Sequence, residues 1–168
     1  MNKIYVITGP AGVGKSTVSK KIASLSNKSA LIEGDTIYHL VTGGYISPWK
    51  EGNHLKVFWK NCFDLIKNFL DEGYDVVFNY IINKKELEEI KRVFKGRKIK
   101  FVVLMADKEE LIKRDKKRPE ENQMKERAIE LLENFKNENF NSENIIDTSN
   151  MEPKEVCIEI INNNRFEI

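Results

Sequence analysis

The residues best suited to chemistry lie near the start of the chain, in the segment GPAGVGKST at positions 9–17. Gly9, Gly14, Lys15 and Ser16 have the spacing G-x-x-x-x-G-K-S/T. Glycine lets successive backbone N–H groups turn inward toward phosphate oxygens. The lysine adds a mobile positive charge for the β- and γ-phosphates, and the hydroxyl of the next residue is a ligand for Mg²⁺. The segment therefore predicts a nucleotide-binding loop.

The flanking sequence favours a phosphate-binding loop over a chance cluster of glycines. An apolar run at residues 3–8 predicts a buried strand before the motif, and residues 15–25 predict a helix after it. This order places the positive N-terminal end of the helix at the phosphates. The residues of this loop that we expect to bind ATP are Gly9, Ala11, Gly12, Val13, Gly14, Lys15, Ser16 and Thr17.

Two carboxylates, Glu33 and Asp35, close a second apolar run that we predict to be a strand over residues 29–35. Side chains two apart on a strand point to the same side, so both would face one site. Phosphoryl transfer needs an aligned hydroxyl and neutralised charge, and a carboxylate can serve either need. The alternative is an acidic turn that faces solvent.

The rest of the chain alternates predicted strands with predicted helices. Further strands are predicted at residues 75–78, 98–105 and 144–147. Apolar residues at helical spacing predict helices over 55–70, 84–96 and 123–135, and Gly73 is the predicted stop of the first of these. Two further helices are predicted from their start signals. One begins at Asp107, which would form a capping box with Glu110, and the other begins at about Pro153. Strands separated by helices predict a single α/β domain with a parallel sheet, helices on both faces, and ligands at the carboxyl ends of the strands.

Composition narrows the class of protein. The 168 residues include 28 basic and 26 acidic side chains, a formal charge of +2, so nucleic acid is not an expected partner. No apolar stretch is long enough to span a membrane and no signal peptide is evident, so we expect a cytoplasmic protein. Cys62 and Cys157 lie in apolar helical patterns and are expected to be buried, reduced thiols. Two histidines without clustered cysteines argue against structural zinc.

A phosphate-binding loop alone does not separate GTPases, motors, carriers and kinases. The segment NKKE at 83–86 is superficially like the guanine-reading motif NKxD, but it ends in Glu and follows the third strand, too early for that site. The loop, EGD at 33–35 and LIKRDKKRPEE at 111–121 together resemble the small P-loop kinases that phosphorylate metabolites. This group holds shikimate kinase, gluconate kinase and chloramphenicol phosphotransferase, and the chain is most similar to small bacterial gluconate-kinase-like proteins.

The resemblance spans nearly the whole chain and implies a P-loop NTPase fold with strand order 2-3-1-4-5, a short lid, and ATP and Mg²⁺ as cofactors. It implies that Glu33 reaches Mg²⁺ through water and that Asp35 accepts the proton of the substrate hydroxyl. Arg114 would stack on the adenine, and Arg118, on the lid, would reach the transferring phosphate. The two arginines are closer together in the sequence than in shikimate kinase. This leaves open which of them stacks on the adenine and which reaches the phosphate.

Other segments resemble further parts of the kinase site. Arg127 matches the place where shikimate kinase has a substrate-binding arginine, although one arginine on an amphipathic helix also suits a plain surface position. Residues 146–156 resemble the loop that wraps the adenine, with Thr148, Ser149 and Pro153 as contacts. Lys15, Asp35 and Arg118 are thus the predicted catalytic residues, and Ser16 and Glu33 the predicted Mg²⁺ ligands.

The acceptor side departs from the known members. Asn79 ends the third strand where many P-loop enzymes have an aspartate, so Mg²⁺ would depend more on Ser16 and a carboxylate. The glycine-rich substrate loop of shikimate kinase is missing, as is the proline expected after EGD in a gluconate kinase. A long irregular segment at 41–56 is typical of a binding loop, and its candidates for substrate contact are Tyr45, Trp49 and His54. Trp59 falls on an apolar helical stripe and is expected in the core.

The sequence therefore predicts an ATP-dependent kinase that transfers the γ-phosphate to a hydroxyl of a small polar metabolite, for example a sugar acid such as gluconate. Two alternatives stay open. One is an ATP-binding regulatory protein without transfer activity, which the neutral Asn79 would suit. The other is a relative that modifies or sequesters an antibiotic. The chain would act as a monomer or a homodimer.

Overall fold

Five parallel strands form one sheet in the computed structural model, which describes residues 2–50 and 52–168. The strands are β1 (Lys3–Thr8), β2 (Ser29–Glu33), β3 (Asp75–Asn79), β4 (Lys98–Met105) and β5 (Ile145–Asp147). Their order in the sheet is β2-β3-β1-β4-β5, and each pairing between them is parallel. This confirms the predicted sheet and its order.

Helices make the connections between the strands. Their bounds are α1 (Lys15–Leu25), α2 (Gly34–Tyr38), α3 (Asn53–Asp71), α4 (Lys84–Val93), α5 (Lys108–Lys116), α6 (Glu126–Asn137) and α7 (Pro153–Asn162). Short 3₁₀ turns lie at Glu120–Asn122, Ser142–Asn144 and Asn164–Phe166. None of the helices in the described part of the chain is long and apolar enough to cross a membrane.

The second strand is shorter than predicted. It ends at Glu33, and α2 begins at Gly34, so Asp35 lies in the first turn of a helix. The expectation that Glu33 and Asp35 share one face of a strand is therefore wrong. The physical reason lies at Gly34, because the ring of Tyr80 occupies the space where a side chain on residue 34 would stand. Because glycine has no Cβ, the ring of Tyr80 can lie against the backbone at the point where the strand ends and the helix begins.

One predicted capping box forms only in part. The side chain of Asp107 accepts a hydrogen bond from the backbone N–H of Glu110, as expected at the start of α5. The side chain of Glu110 does not return the bond, because it instead accepts from Lys113 and Arg114. A complete box lies at the start of α4, where Asn83 and Glu86 bond each other's backbone N–H groups.

The core consists of two apolar layers, one on each face of the sheet. Alternate residues of β1 supply both layers, with Ile4 and Val6 on the α3 side and Tyr5 and Ile7 on the other. Cys62 lies in the first layer and Cys157 in the second, and both thiols are buried and free. Burial raises the pKa of Cys62 to about 12, so the thiol stays protonated at neutral pH.

A buried lysine joins the sheet to the last helix. The side chain of Lys100, on β4, is 1% exposed. Its Nζ donates to the carbonyl oxygens of Ile160, Ile161 and Asn163 at 3.0, 2.8 and 3.0 Å. The last carbonyls of a helix lack partners within it, so one ammonium satisfies three of them and fixes the end of α7 against β4.

Candidate active site

The loop between β1 and α1 needs glycine at several positions. Gly9, Gly12 and Gly14 have φ angles of 140°, 87° and 99°, which side chains rarely tolerate. A Cβ on Gly9 would also collide with the backbone oxygen of Leu104 on the neighbouring strand. The loop is therefore held close to the sheet. It leads directly into the N-terminus of α1, and backbone N–H groups at a helix N-terminus favour the binding of an anion.

Three predicted catalytic residues influence one another electrostatically at this loop. Lys15 Nζ donates to the backbone oxygens of Gly9 and Pro10, each at 2.9 Å. Burial lowers the pKa of Lys15 to about 8, the Asp35 carboxylate opposes this shift, and the Arg118 guanidinium adds to it. Lys15, Asp35 and Arg118 also line one cavity of about 1350 Å³.

Arg114 joins the phosphate loop to the predicted adenine loop. Its Nη1 donates to the backbone oxygen of Val13 at 3.2 Å and to Thr148 Oγ1 at 3.0 Å, and its Nη2 donates to the backbone oxygen of Thr148 at 2.7 Å. Its Nε donates to Glu110 at 2.9 Å. The N–H groups of the guanidinium thus donate to protein oxygens on both loops. These hydrogen bonds fix the distance between the two loops. Thr148, Ser149 and Pro153 line the cavity on that side.

The predicted short lid lies between α5 and α6, at residues 117–125, and Asp115 holds its two ends. This buried carboxylate accepts from the backbone N–H groups of Met124 and Lys125 at 3.0 and 2.8 Å, and Arg118 lies 3.7 Å away. Burial acts to raise the pKa of Asp115, but those hydrogen bonds and Arg118 lower it overall. Lys125 has a φ of 48°, so the exit from the lid is strained.

Two predicted substrate residues meet across the cavity mouth. The guanidinium of Arg127, on α6, lies 5.6 Å from the ring centroid of Trp49, in the segment between α2 and α3. Arg127 also forms an ion pair with Glu130 at 2.6 Å. Tyr45 lines the cavity too and stacks on His39, with ring centroids 5.7 Å apart and planes 6° from parallel.

Three predicted site residues do not line the cavity, namely Gly9, Glu33 and His54. Glu33 lies 3.9 Å from Lys20 and directly precedes α2. His54 lies inside the first turn of α3, where its side chain makes no cap, and its ring meets that of Tyr38 edge-on at 6.3 Å. Trp59 was expected in the core. It is partly buried against the core layer on the α3 side, and it also lines the cavity.

Asn79 is a buried polar side chain at the carboxyl end of β3. It is 4% exposed and lines the cavity. Its Nδ2 has no hydrogen-bond partner within the described residues. A buried amide donor without a partner is costly, so this position favours a ligand oxygen nearby.

Sequence reasoning missed a group of polar residues at the far end of the cavity, namely His39, Tyr80, Asn83, Glu86, Asn134 and Glu138. Tyr80 directly follows β3 and Asn83 ends the loop after it, so the rule that ligands gather at strand ends could have found them. Asn134 and Glu138 lie on or just after α6, and nothing in the local pattern of that amphipathic helix signals that they face a site. Only the packing of α6 against the rest of the fold brings them there.

The side chains near the loop fit Mg²⁺ bound together with nucleotide phosphates. Ser16 and Asp35 line the cavity and offer the oxygen ligands that Mg²⁺ prefers, and Asn79 offers a neutral one. No cluster of three or more His, Cys, Asp or Glu side chains in the described residues could cage a metal ion. One or two side chains plus phosphate oxygens is the usual Mg²⁺ environment at such sites.

The fold is shared with solved P-loop proteins of similar length. A sugar kinase from Janibacter sp. HTCC2649 matches with a TM-score of 0.68 at 13% identity, over 95% of this chain and 92% of that chain. A tunicamycin resistance protein from Deinococcus radiodurans gives 0.69 at 18% identity, over 95% and 94%. A gluconokinase from Sinorhizobium meliloti 1021 gives 0.65 at 17% identity, over 95% and 89%.

Sequence comparison gives the family. A search of curated proteins finds no match. The model of a family described as AAA domain matches residues 6–146, which is most of the chain. Together with the observed P-loop and strand order, this match confirms the resemblance to small P-loop kinases. The chain belongs to this AAA domain family of P-loop proteins.

Proposed function

We propose that the protein is an ATP-dependent kinase that transfers the γ-phosphate to a hydroxyl group of a small polar molecule, and that the whole chain is one kinase domain. The observation that supports this proposal is that Lys15, Asp35 and Arg118 line one cavity, with Asp35 and Arg118 near enough to act on the pKa of Lys15. A site for nucleotide binding alone needs the lysine, but it needs neither a carboxylate nor a lid arginine at the same point.

Each residue has a role that follows from its place. The glycine loop and Lys15 bind the β- and γ-phosphates, and Arg118 offsets the charge that develops on the transferring group. Asp35 aligns the acceptor hydroxyl and takes its proton. Mg²⁺, when bound, would neutralise phosphate charge, and the hydroxyl of Ser16, which lines the cavity, suits it. Glu33 could reach the ion only through water, because it does not line the cavity.

The adenine side is formed by the loop after β5. Thr148, Ser149 and Pro153 line it, and Arg114 holds it at a fixed distance from the phosphates. The acceptor side lies under Tyr45, Trp49 and Arg127. A sugar acid such as gluconate is one acceptor to test, since a solved gluconokinase shares the fold.

The direct test is to incubate the protein with Mg²⁺-ATP and a panel of hydroxylated metabolites, sugar acids and antibiotics, and to follow new phosphate esters by ³¹P NMR. We expect one class of acceptor to give a product, and Lys15→Ala to abolish it while circular dichroism shows an intact fold. ATP binding without any product across the panel would favour the regulatory alternative. A product with an antibiotic alone would favour the resistance alternative, which shares its fold with the tunicamycin resistance protein.

A further inference from the structure

Charged side chains of both signs line the cavity. Away from the acceptor end they are the cations Lys15, Lys113, Arg114, Lys117 and Arg118 and the acids Glu110, Glu121 and Glu152, of which Glu110 is already paired with Lys113 and Arg114. At the acceptor end, the carboxylates among the described lining residues are Asp35, Glu86 and Glu138. Arg127 is the cation at that end, and it is already paired with Glu130.

Two of these carboxylates converge at the start of α4. The backbone N–H of Asn83 donates to Glu86 Oε2 at 2.7 Å, and the next N–H, of Lys84, donates to Glu138 Oε2 at 3.1 Å. Because the two donors are consecutive amides, the two carboxylates lie side by side. No lysine or arginine in the described part of the chain forms an ion pair with either of them.

Hydrogen bonds to the start of α4 account for only one of the two oxygens of each carboxylate. The capping box uses one oxygen of Glu86, and the bond from Lys84 uses one oxygen of Glu138. The remaining oxygen of each carboxylate has no donor within the described residues. Burial, with the charge of Glu138 adding to it, raises the pKa of Glu86, while the Asn83 N–H and Lys85 oppose the shift. A positive group between the two carboxylates would remove this electrostatic cost.

Independent features of the same cavity also point to a ligand. Asn79 Nδ2 is buried without a partner and lines the cavity, so it can donate to a ligand hydroxyl. Burial raises the pKa of Tyr80, and the charges of Asp35 and Glu86 raise it further, so both carboxylates lie within electrostatic reach of this side chain. The ring of Trp49 is 70% exposed and already has a guanidinium over one face. Aromatic faces beside carboxylates are the usual surroundings of a bound ammonium group.

Building on the proposed kinase activity, we infer that the acceptor is a small hydroxyl compound that carries a positive charge, such as an amino sugar or an amino alcohol. Its ammonium lies between Glu86 and Glu138, and its hydroxyl lies at Asp35. The hydroxyl oxygen forms the new bond to the γ-phosphorus, the bond from that phosphorus to the bridging oxygen of ADP breaks, and Asp35 takes the proton. A sugar acid would instead bring its anion against these carboxylates.

The test uses acceptors that differ only in charge. One set is D-glucosamine, D-glucose and D-gluconate, and a second is ethanolamine, ethylene glycol and glycolate. Binding is measured by calorimetry with a non-hydrolysable ATP analogue and Mg²⁺, and transfer by ³¹P NMR with ATP. We expect the amines to bind most tightly and to be phosphorylated fastest.

Matched variants locate the ammonium. Glu86→Gln and Glu138→Gln keep the shape and the acceptor oxygen of each side chain, and each should raise KM for the amine about tenfold or more with a smaller effect on kcat. Glu89→Gln is the control, because Glu89 lies on the same helix but pairs with Arg92 outside the cavity. Its KM should equal that of the unmodified protein.

The outcomes separate this inference from the proposed function. Faster transfer to the acids or neutral alcohols would overturn the cationic acceptor and leave the kinase in place. Amines that bind but receive no phosphate would support the ligand class and count against the kinase. Absence of binding by either amine, or unchanged KM in both Gln variants, would overturn the inference.

Discussion

At the scale of single residues, Asp35 is the carboxylate on which the proposed chemistry depends most. We expect Asp35→Asn to lower kcat by about a hundredfold or more, the usual contribution of a general base, with little change in ATP affinity. Steady-state kinetics and nucleotide titration on one preparation measure both. Asp64→Asn is the matched control, since Asp64 is exposed on α3 and does not line the cavity.

The opposite pattern would reassign Asp35. A small loss of turnover with a large loss of Mg²⁺-ATP affinity would make it a metal ligand. The acceptor hydroxyl would then have no base among the predicted residues, a result compatible with a loose transition state.

Lys15 makes ATP binding depend on pH. Because burial lowers its pKa to about 8, the amine is charged below that pH and loses its proton above it. Phosphates favour the charged form, so ATP affinity should be constant below this range and fall as the pH rises through it. Calorimetry in two buffers of different ionisation enthalpy should show proton uptake above pH 8. Lys15→Ala should bind more weakly with a flat profile, and a flat profile in the unmodified protein would contradict the assignment.

At the scale of elements, the hydrogen bonds of Lys100 attach the end of α7 to β4. Lys100→Met keeps most of the side-chain volume but leaves three buried carbonyls without a donor. We expect it to lower the free energy of unfolding by about 2 kcal/mol or more, measured by urea denaturation. Lys98→Met is the matched control, because Lys98 is exposed on the same strand. Equal stability of the two variants would show that water replaces the ammonium.

The elements themselves were largely predictable, because strong apolar runs and glycine positions determine where strands and helices lie. The turn at Gly34 was not, since the ring of Tyr80 that shapes it comes from a distant part of the chain. The phosphate loop was predictable because its chemistry is local. The carboxylates Glu86 and Glu138 were not, because they meet only where the end of α6 reaches the start of α4.

At the scale of the whole molecule, ligand binding should stabilise the fold. Free ATP at about a hundredfold over its dissociation constant, with Mg²⁺, should add about 2.7 kcal/mol to the free energy of unfolding. A thermal-shift titration with ATP, ADP and GTP measures this effect. No response to any of the three would contradict nucleotide binding, and a clear preference for GTP would contradict the kinase assignment.

The two thiols give the molecule a built-in reporter for each side of its sheet. Cys62 lies in the layer under α3, and Cys157 lies in the layer under α7, each fully enclosed. A thiol reagent can reach each one only when its own layer opens, so labelling rates measure local opening. Cys62→Ser and Cys157→Ser would each leave one reporter. If saturating ATP slows labelling of Cys157 more than that of Cys62, the nucleotide tightens the layer behind its own loops; equal slowing would mean that both layers open together.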